Sequence, residues 1–156
     1  MDEFQVILRA RQFVREAGIS AVPVDLMPYA AKVKATIKVR QDLADDESGQ
    51  TFPTRDGHLI VLNGNHREER QRFTALHEMA HIALDLPSNH DAGALQTEAL
   101  FRYRRRPAEE ITCDMFAAEC LLPYTFFKDD AQDVDASFDS IRLLAQRYKA
   151  SLPATG

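Results

Sequence analysis

The sequence predicts an α+β domain in which helices flank a small sheet of about three strands. Alternating apolar residues, which are typical of strands, are concentrated between residues 35 and 63. Apolar residues at helical spacing dominate the segments before and after this region. The chain has 156 residues, a length that suits one domain with one buried core.

The order of the predicted elements is two helices, then the strands, and then three more helices. These elements are helices over 2–17 and 25–33, strands within 34–40 and 50–63, and helices over 67–86, 107–122 and 138–149. Pro53 should place its strand at an edge of the sheet or end its pairing, because proline cannot donate a ladder hydrogen bond. Residues 87–107 are expected to form a long connection and residues 128–137 an acidic loop.

Composition and charge exclude several classes of protein. Apolar residues make up 45% of the chain and charged residues 28%, which is ordinary for a globular domain. The net charge of -5 gives no support for non-specific binding to nucleic acid or to an anionic membrane. No apolar run approaches the ~18 residues that a membrane span needs. Neither a membrane nor a nucleic-acid partner is therefore expected.

The two cysteines and the first residues bear on localisation. Cys113 and Cys120 are expected on one helix, two turns apart, which is too far for a disulfide within a helix. The acidic start "MDEFQVILRARQ" lacks the basic and long apolar regions of a signal peptide. We therefore expect a reducing, cytoplasmic setting.

The segment "RFTALHEMAHIALDL" places three titratable side chains in a predicted helix that is otherwise mostly apolar. His77 and His81 are one helical turn apart, so their imidazoles can bind the same cation. Glu78 lies about 100° round the helix, where it could accept a proton from water at that cation. Two core histidines with satisfied hydrogen bonds, and a surface glutamate, are the alternative explanation.

The segment "AEEITCDMFAAECLLP" contains the best candidate for a third ligand, which a catalytic zinc site usually needs. Glu110 and Asp114 lie one turn apart on a mostly apolar helix, where two unpaired carboxylates would be costly. A nearby cation would reverse this cost. Glu110 could bind the metal, and Asp114 could accept the N–H of a ligand histidine. Glu109 suits a helix first turn, and His90 falls in a polar loop at no recognised ligand spacing.

"RFTALHEMAH" followed by "EITCDMFAAECLLP" resembles the ImmA/IrrE-type metallopeptidase family, as does the preceding "SGQTFPTRDGHLIVLN". In this family an R-F-T sequence leads into H-E-x-x-H, and a glutamate helix follows. The resemblance covers roughly residues 20–125. This chain departs from the pattern at Ala80, where the family has glycine, and at Cys113 and Cys120, where it has alanine and leucine. None of these departures removes a catalytic group.

The resemblance implies a zincin-like, gluzincin-like fold: a small mixed sheet with an active-site helix, a third-ligand helix and flanking helices. It implies that His77, His81 and Glu110 bind Zn²⁺, that Glu78 is the general base, and that Asp114 lies where the family has Asn or Asp. We therefore expect residues 1–136 to form a zincin-like metallopeptidase domain. Residues 137–156 should form a terminal helix, which resembles the start of a truncated helix-turn-helix region.

Known members of this family cleave or control helix-turn-helix repressors, and so switch on mobile-element transfer or stress genes. The expected function is therefore a zinc-dependent endopeptidase whose substrate is an XRE-type helix-turn-helix repressor. Two imidazoles and a carboxylate would also suit Mn²⁺ or Fe²⁺. The first alternative is a metal-binding anti-repressor that acts by protein binding without hydrolysis. The second alternative is a deformylase-like hydrolase. It is disfavoured because a deformylase takes a cysteine ligand from upstream of H-E-x-x-H, and no cysteine precedes His77.

Three further expectations concern the substrate. A substrate strand should pair with an exposed sheet edge in the region 50–62. Tyr103, Tyr124, His90 or a loop arginine could supply a second donor to the oxyanion. The arginine-rich segment 102–106 could bind an acidic part of a substrate or DNA phosphates, although a solvated loop is the simpler explanation.

Overall fold

The computed structural model describes residues 1–86, 107–132 and 137–151. Its described helices are α1 (Glu3–Ala17), α2 (Leu26–Lys32), α3 (Glu68–Ala83), α4 (Ala108–Leu121), α5 (Tyr124–Gln132) and α6 (Phe138–Tyr148). Its described strands are β1 (Ala35–Arg40), β2 (Gly49–Thr54) and β3 (Gly57–Asn63). The predicted α+β class with a small mixed sheet is confirmed. The connection expected over 87–107 lies, except for its last residue, outside the described residues.

The sheet has the strand order β1-β3-β2, so the longest strand is central. β1 pairs with β3 in parallel, and β2 pairs with β3 antiparallel through a turn at Arg55 and Asp56. Pro53 lies on β2, which confirms that its strand is at an edge. The central strand is well covered, since Ile60 and Leu62 are 0% and 3% exposed.

Helix α1 has strong signals at both ends. The side chain of Asp2 accepts the backbone N–H of Gln5, and the side chain of Gln5 accepts that of Asp2, so the two form a capping box. Gly18 ends the helix with a φ of 71°, which a residue without a Cβ adopts easily. Phe4 and Leu8 are exposed although they belong to the apolar spacing that predicted the helix. The buried side chains are Val6, Ala10, Phe13 and Val14.

Helix α3 packs across one face of the sheet and approaches it closely at Gly49 of β2. A Cβ at Gly49 would lie 2.7 Å from Cγ2 of Thr74 and 2.9 Å from the backbone oxygen of Val61. Two residues further along the strand, the hydroxyl of Thr51 donates a hydrogen bond to Glu78, four residues further along the helix. β2 and α3 therefore run side by side in the same direction.

Helix α4 packs against both α1 and α3 and forms the centre of the core. Cys113 and Cys120 are free and fully buried there, so both are core residues. The hydroxyl of Tyr29 in α2 donates a hydrogen bond of 2.9 Å to the backbone oxygen of Cys120. Three helices are thus fixed to α4, the helix that carries the predicted third ligand.

The prediction of an acidic loop over residues 128–137 is wrong for its first half, because α5 continues to Gln132. Phe127 of α5 packs edge-on against Tyr148 of α6, with ring centroids 5.5 Å apart. The hydroxyl of Tyr148 also donates a hydrogen bond to Asp130. These contacts hold the acidic segment as a helix although its composition favours a loop.

Helix α6 agrees with the predicted terminal helix. The side chain of Ser137 caps it by accepting the backbone N–H of Ser140 at 3.2 Å. Leu144, Tyr148 and Ala150 belong to the buried core. The proposed domain boundary before residue 137 stays a prediction. None of the described helices is both long enough and apolar enough to cross a membrane.

Replacing Gly49 by alanine should destabilise the protein, because the added methyl would press on Thr74 and on the backbone of Val61. We expect the free energy of unfolding in urea to fall by about 1–3 kcal/mol. Thr74→Ser removes Cγ2, so the double variant should recover part of this loss. Gln50→Ala, at the next position and on the other face of the strand, is the control. Unchanged stability of Gly49→Ala would contradict the close contact.

Candidate metal centre

The two histidines of α3 lie in the part of the helix that the core surrounds. His77 is 9% exposed and His81 is 3% exposed. Leu76, Met79 and Ala80, which interleave with them, are fully buried. The Nε2 atoms of the two imidazoles lie 3.3 Å apart. The helical spacing predicted from the sequence therefore brings the Nε2 atoms of the two rings close together.

Helix α4 places a carboxylate at each ring nitrogen of His77. Oε2 of Glu110 lies 2.7 Å from Nε2 of His77, and Oε1 of Glu110 lies 3.3 Å from Nε2 of His81. Oδ1 of Asp114 lies 2.7 Å from Nδ1 of His77. His77, His81 and Glu110 together form the only group of potential metal-ligating side chains found in the described ranges. We call these three residues the ligand cluster.

The ligand cluster fits a divalent metal ion. Asp114 can accept the Nδ1–H of His77, which leaves the lone pair of Nε2 directed at the cluster. Ligand atoms bound about 2.0–2.1 Å from a tetrahedral zinc are themselves roughly 3.3 Å apart. Two of the separations are 3.3 Å. Oε1 of Glu110 is also buried without a hydrogen bond. The assignment of the three side chains as ligands stays a prediction.

The electrostatics of the cluster agree with a site for a cation. Burial alone would lower the pKa of His77, but its hydrogen bonds with Asp114 and Glu110 outweigh burial and raise the pKa to about 9. Burial alone would raise the pKa of Glu110, but the hydrogen bond with His77 and the nearby imidazole of His81 hold this pKa well below its usual range. A metal ion at Nε2 of His77 must therefore displace a proton.

Glu78 is the third titratable side chain of the motif and is only 1% exposed. It is not part of the ligand cluster, which agrees with its predicted separation from the ligands. Its Oε2 accepts the hydrogen bond from Thr51 of β2. Sequence reasoning missed Thr51, because a threonine in a strand carries no signal until the register of β2 against α3 is known.

The predicted donors to an oxyanion have different outcomes. The ring of Tyr124 lies under the guanidinium of Arg11 in α1, 4.3 Å from it, and the ammonium of Lys128 is 5.8 Å away. These contacts are on the α1 side of α4. His90, Tyr103 and the arginine-rich segment 102–106 lie outside the part of the chain that the structure describes.

The fold and the ligand cluster define a class of protein: a metallopeptidase-type domain in which one helix supplies two imidazoles and a second helix a carboxylate. The family profile of the IrrE N-terminal-like domain, which is a peptidase family, matches residues 32–156. The chain belongs to this family. This membership confirms the resemblance recognised in the sequence and supports a function of the metallopeptidase type.

Comparison with solved structures supports the fold. The chain is similar to a Mycobacterium tuberculosis transcriptional regulator, with a TM-score of 0.69 and a sequence identity of 19%. The similarity covers 97% of this chain but 45% of the regulator, so this chain spans less than half of that protein's length. No curated protein matches the chain.

Replacing Glu110 by alanine should weaken metal binding strongly, because it removes the only carboxylate of the ligand cluster. We expect the wild-type protein to bind one Zn²⁺ in equilibrium dialysis and the variant to lose affinity by on the order of 100-fold or more. Glu109→Ala, one residue earlier in the same helix, is the matched control and should bind like the wild type. Equal stoichiometry and affinity in Glu110→Ala would remove Glu110 from the ligand set.

Chelator-treated protein should lose stability as the pH rises from 6.5 to about 9. The pKa of His77 is raised from 6.5 to about 9 in the folded chain, so its protonation stabilises the fold fully below 6.5 and no longer above about 9. Urea unfolding at a series of pH values in the presence of a chelator measures this slope. Asp114→Asn should reduce it, because the charged partner of Nδ1 is lost. A pH-independent stability in the wild type would contradict the raised pKa.

Proposed function

We propose that this protein is a zinc-dependent endopeptidase that cleaves a helix-turn-helix transcriptional repressor. The observation that carries the proposal is the position of Glu78, which is buried beside the ligand cluster and bonded to the edge strand β2. Burying a carboxylate is costly. A helix that served only to pack the core would not need a glutamate at this position.

The residues of the chain divide the chemistry of peptide hydrolysis among them. The ligand cluster would hold the metal ion, and Asp114 would fix the orientation of the His77 ring. When bound, the ion supplies a Lewis acid that polarises the scissile carbonyl and increases the acidity of water. Glu78 accepts the proton of the attacking water and then delivers it to the leaving amine. The hydroxyl of Thr51 holds the Glu78 carboxylate beside the edge strand β2.

Zinc is the proposed metal. Two imidazoles and one carboxylate are a usual protein ligand set for catalytic zinc, and they leave the fourth position of a tetrahedron open. Mn²⁺ and Fe²⁺ accept the same donor types. Metal analysis of the protein purified without added metal distinguishes these ions.

Strand β2 provides the proposed docking edge for the substrate. Among the described strands it has one neighbour, β3, so its other edge is unpaired. The N–H of Asn63 donates to the backbone oxygen of Ser48 at 3.0 Å, and this bond sets the alternation of the antiparallel ladder. By that alternation the backbone groups of Gly49 and Thr51 point away from β3. A peptide that pairs with them would pass beside Glu78.

Several observations support the proposed substrate and setting. Family membership supports a protein substrate, and the similar solved structure is named as a transcriptional regulator. We extend this to an XRE-type repressor as the substrate, with residues 1–136 as the peptidase domain and 137–156 as a terminal helix. Two free, buried cysteines suit a cytoplasmic setting.

The competing function is a metal-binding anti-repressor that sequesters its partner without cutting it. Similarity to a protein named as a transcriptional regulator favours this alternative, because regulation needs no hydrolysis. The two functions differ in what they require of Glu78. Hydrolysis needs its carboxylate as a base, whereas binding does not.

Glu78→Gln should therefore slow cleavage strongly and retain the metal. The test substrate is the repressor encoded nearest to the gene, incubated with the zinc-loaded protein and examined by mass spectrometry for two fragments. We expect the variant to lose 10²–10⁴-fold in rate, about the contribution of a general base. Glu109→Gln is the control for loss of a carboxylate near the site. Relief of repression by Glu78→Gln without any cut would establish the binding function instead.

A further inference from the structure

A basic cavity lies between the first turns of α3 and the C-terminal end of α6. Its volume is about 440 Å³. Three arginines line it, and the one acidic residue among its described lining side chains, Glu69, pairs with Arg67 at 3.6 Å. The chain as a whole has a net charge of -5, so this concentration of positive charge is local. The polar lining residues are Arg67, Glu69, Arg70, Arg142, Gln146 and Ser151.

Arg70 connects the cavity to the proposed docking edge. Its Nη2 donates a hydrogen bond of 2.9 Å to Oγ of Ser48, the residue immediately before β2. Arg70 precedes His77 by two turns of α3, so both project from nearly the same face of the helix, roughly 10 Å apart along its axis. The cavity therefore lies beside the start of β2, about two turns of α3 away from the ligand cluster.

The contacts between α3 and β2 relate this distance to the length of a bound peptide. Thr74 contacts Gly49, and Glu78 contacts Thr51. Four residues of the helix rise about 6 Å and two residues of the strand rise about 7 Å, so the two elements advance together. Arg70, one further turn back, is level with the start of β2. A peptide antiparallel to β2 would reach it roughly three residues after the scissile bond.

The chemistry of the cavity selects the group that it can hold. Arginine side chains bind carboxylates through paired N–H donors, and such charge-assisted bonds are about twice as strong as neutral ones. Arg70 and Arg142 approach the cavity from two different helices, α3 and α6. An anionic group in the cavity would therefore face arginine side chains from both helices.

We propose that this cavity binds a carboxylate of the substrate, on the C-terminal side of the cleaved bond. The enzyme then prefers peptides with an acidic residue about three positions after the cut. This inference rests on the peptidase function proposed above. The carboxylate can belong to an Asp or Glu side chain or to the C-terminus of a short product.

Cleavage of random short peptides tests this preference. The peptides are acetylated at the N-terminus and incubated with the zinc-loaded protein, and the cut sites are identified by mass spectrometry. One library ends in a carboxylate and the other in an amide. We expect Asp and Glu to be enriched over Asn and Gln about three residues after the cut, on the order of tenfold. Enrichment in both libraries assigns a side-chain carboxylate, and enrichment of cuts near the end of the carboxylate library alone assigns the terminus.

Variants locate the preference in the cavity. We compare cleavage of peptides that have Asp or Glu about three residues after the cut with cleavage of peptides that have Asn or Gln there. In Arg70→Gln and in Arg142→Gln the ratio of these two rates should fall toward one, whereas Arg70→Lys should keep part of the preference. Ser48→Ala removes the hydrogen bond of Arg70 but not its charge, so it should keep the preference. Arg55→Gln, at the turn beyond the opposite end of β2, is the matched control and should behave like the wild type.

Binding provides a readout that does not need catalysis. The best-cleaved sequence, dye-labelled, is titrated with the Glu78→Gln protein and followed by fluorescence anisotropy. Its affinity should exceed that of the Gln-substituted peptide by about tenfold, and adding Arg70→Gln should remove the difference. Cleavage without an acidic preference, or a preference before the cut, would overturn this inference alone. Absence of cleavage in both libraries would overturn the proposed function and this inference with it.

Discussion

The contact between α3 and α4 around the ring of His77 is the interaction on which the rest of the structure depends. One helix supplies two carboxylates, from Glu110 and Asp114, and the other supplies the imidazole between them. A buried group of titratable side chains is stable only if opposite charges are paired and each hydrogen-bond donor meets an acceptor. α4 is fixed in turn by α1 and by the hydroxyl of Tyr29. The core therefore holds the two helices at the separation that the polar contacts require.

The sequence predicts which side chains the structure brings together at the ligand cluster, because the signals are local. His77 and His81 share a helical face by spacing alone, and two carboxylates one turn apart on an apolar helix indicate a common cation. The edge position of β2 follows from Pro53 in the same way. These predictions needed only the known geometry of one helix or one strand.

Features that depend on contacts between distant segments could not be predicted. Helix α5 has an acidic, loop-like composition, and the helix is explained by the packing of Phe127 on Tyr148 and by the hydrogen bond from Tyr148 to Asp130. Phe4 and Leu8 are exposed because α1 packs on α4 with a different set of side chains, Val6, Ala10, Phe13 and Val14. The role of Thr51 and the cavity shared by α3 and α6 depend on register and on packing between elements that are far apart in the chain. In each case tertiary structure decided among conformations that local sequence allows.

Because α3 and β2 run in the same direction, the proposed catalytic residues and the proposed recognition residues lie in different parts of the same helix. The second half of α3 carries the ligand cluster and Glu78, the proposed base, whereas its first turns carry the arginines next to the start of the strand. We therefore expect substitutions in the first turns to change which proteins are recognised while the proposed catalytic residues are retained. A residue inserted into β2 would have a different effect, since it would turn every following side chain to the opposite face and withdraw Thr51 from Glu78. Evolution of new substrates in this fold should thus proceed by exchange of helix residues, with the length of the strand kept constant.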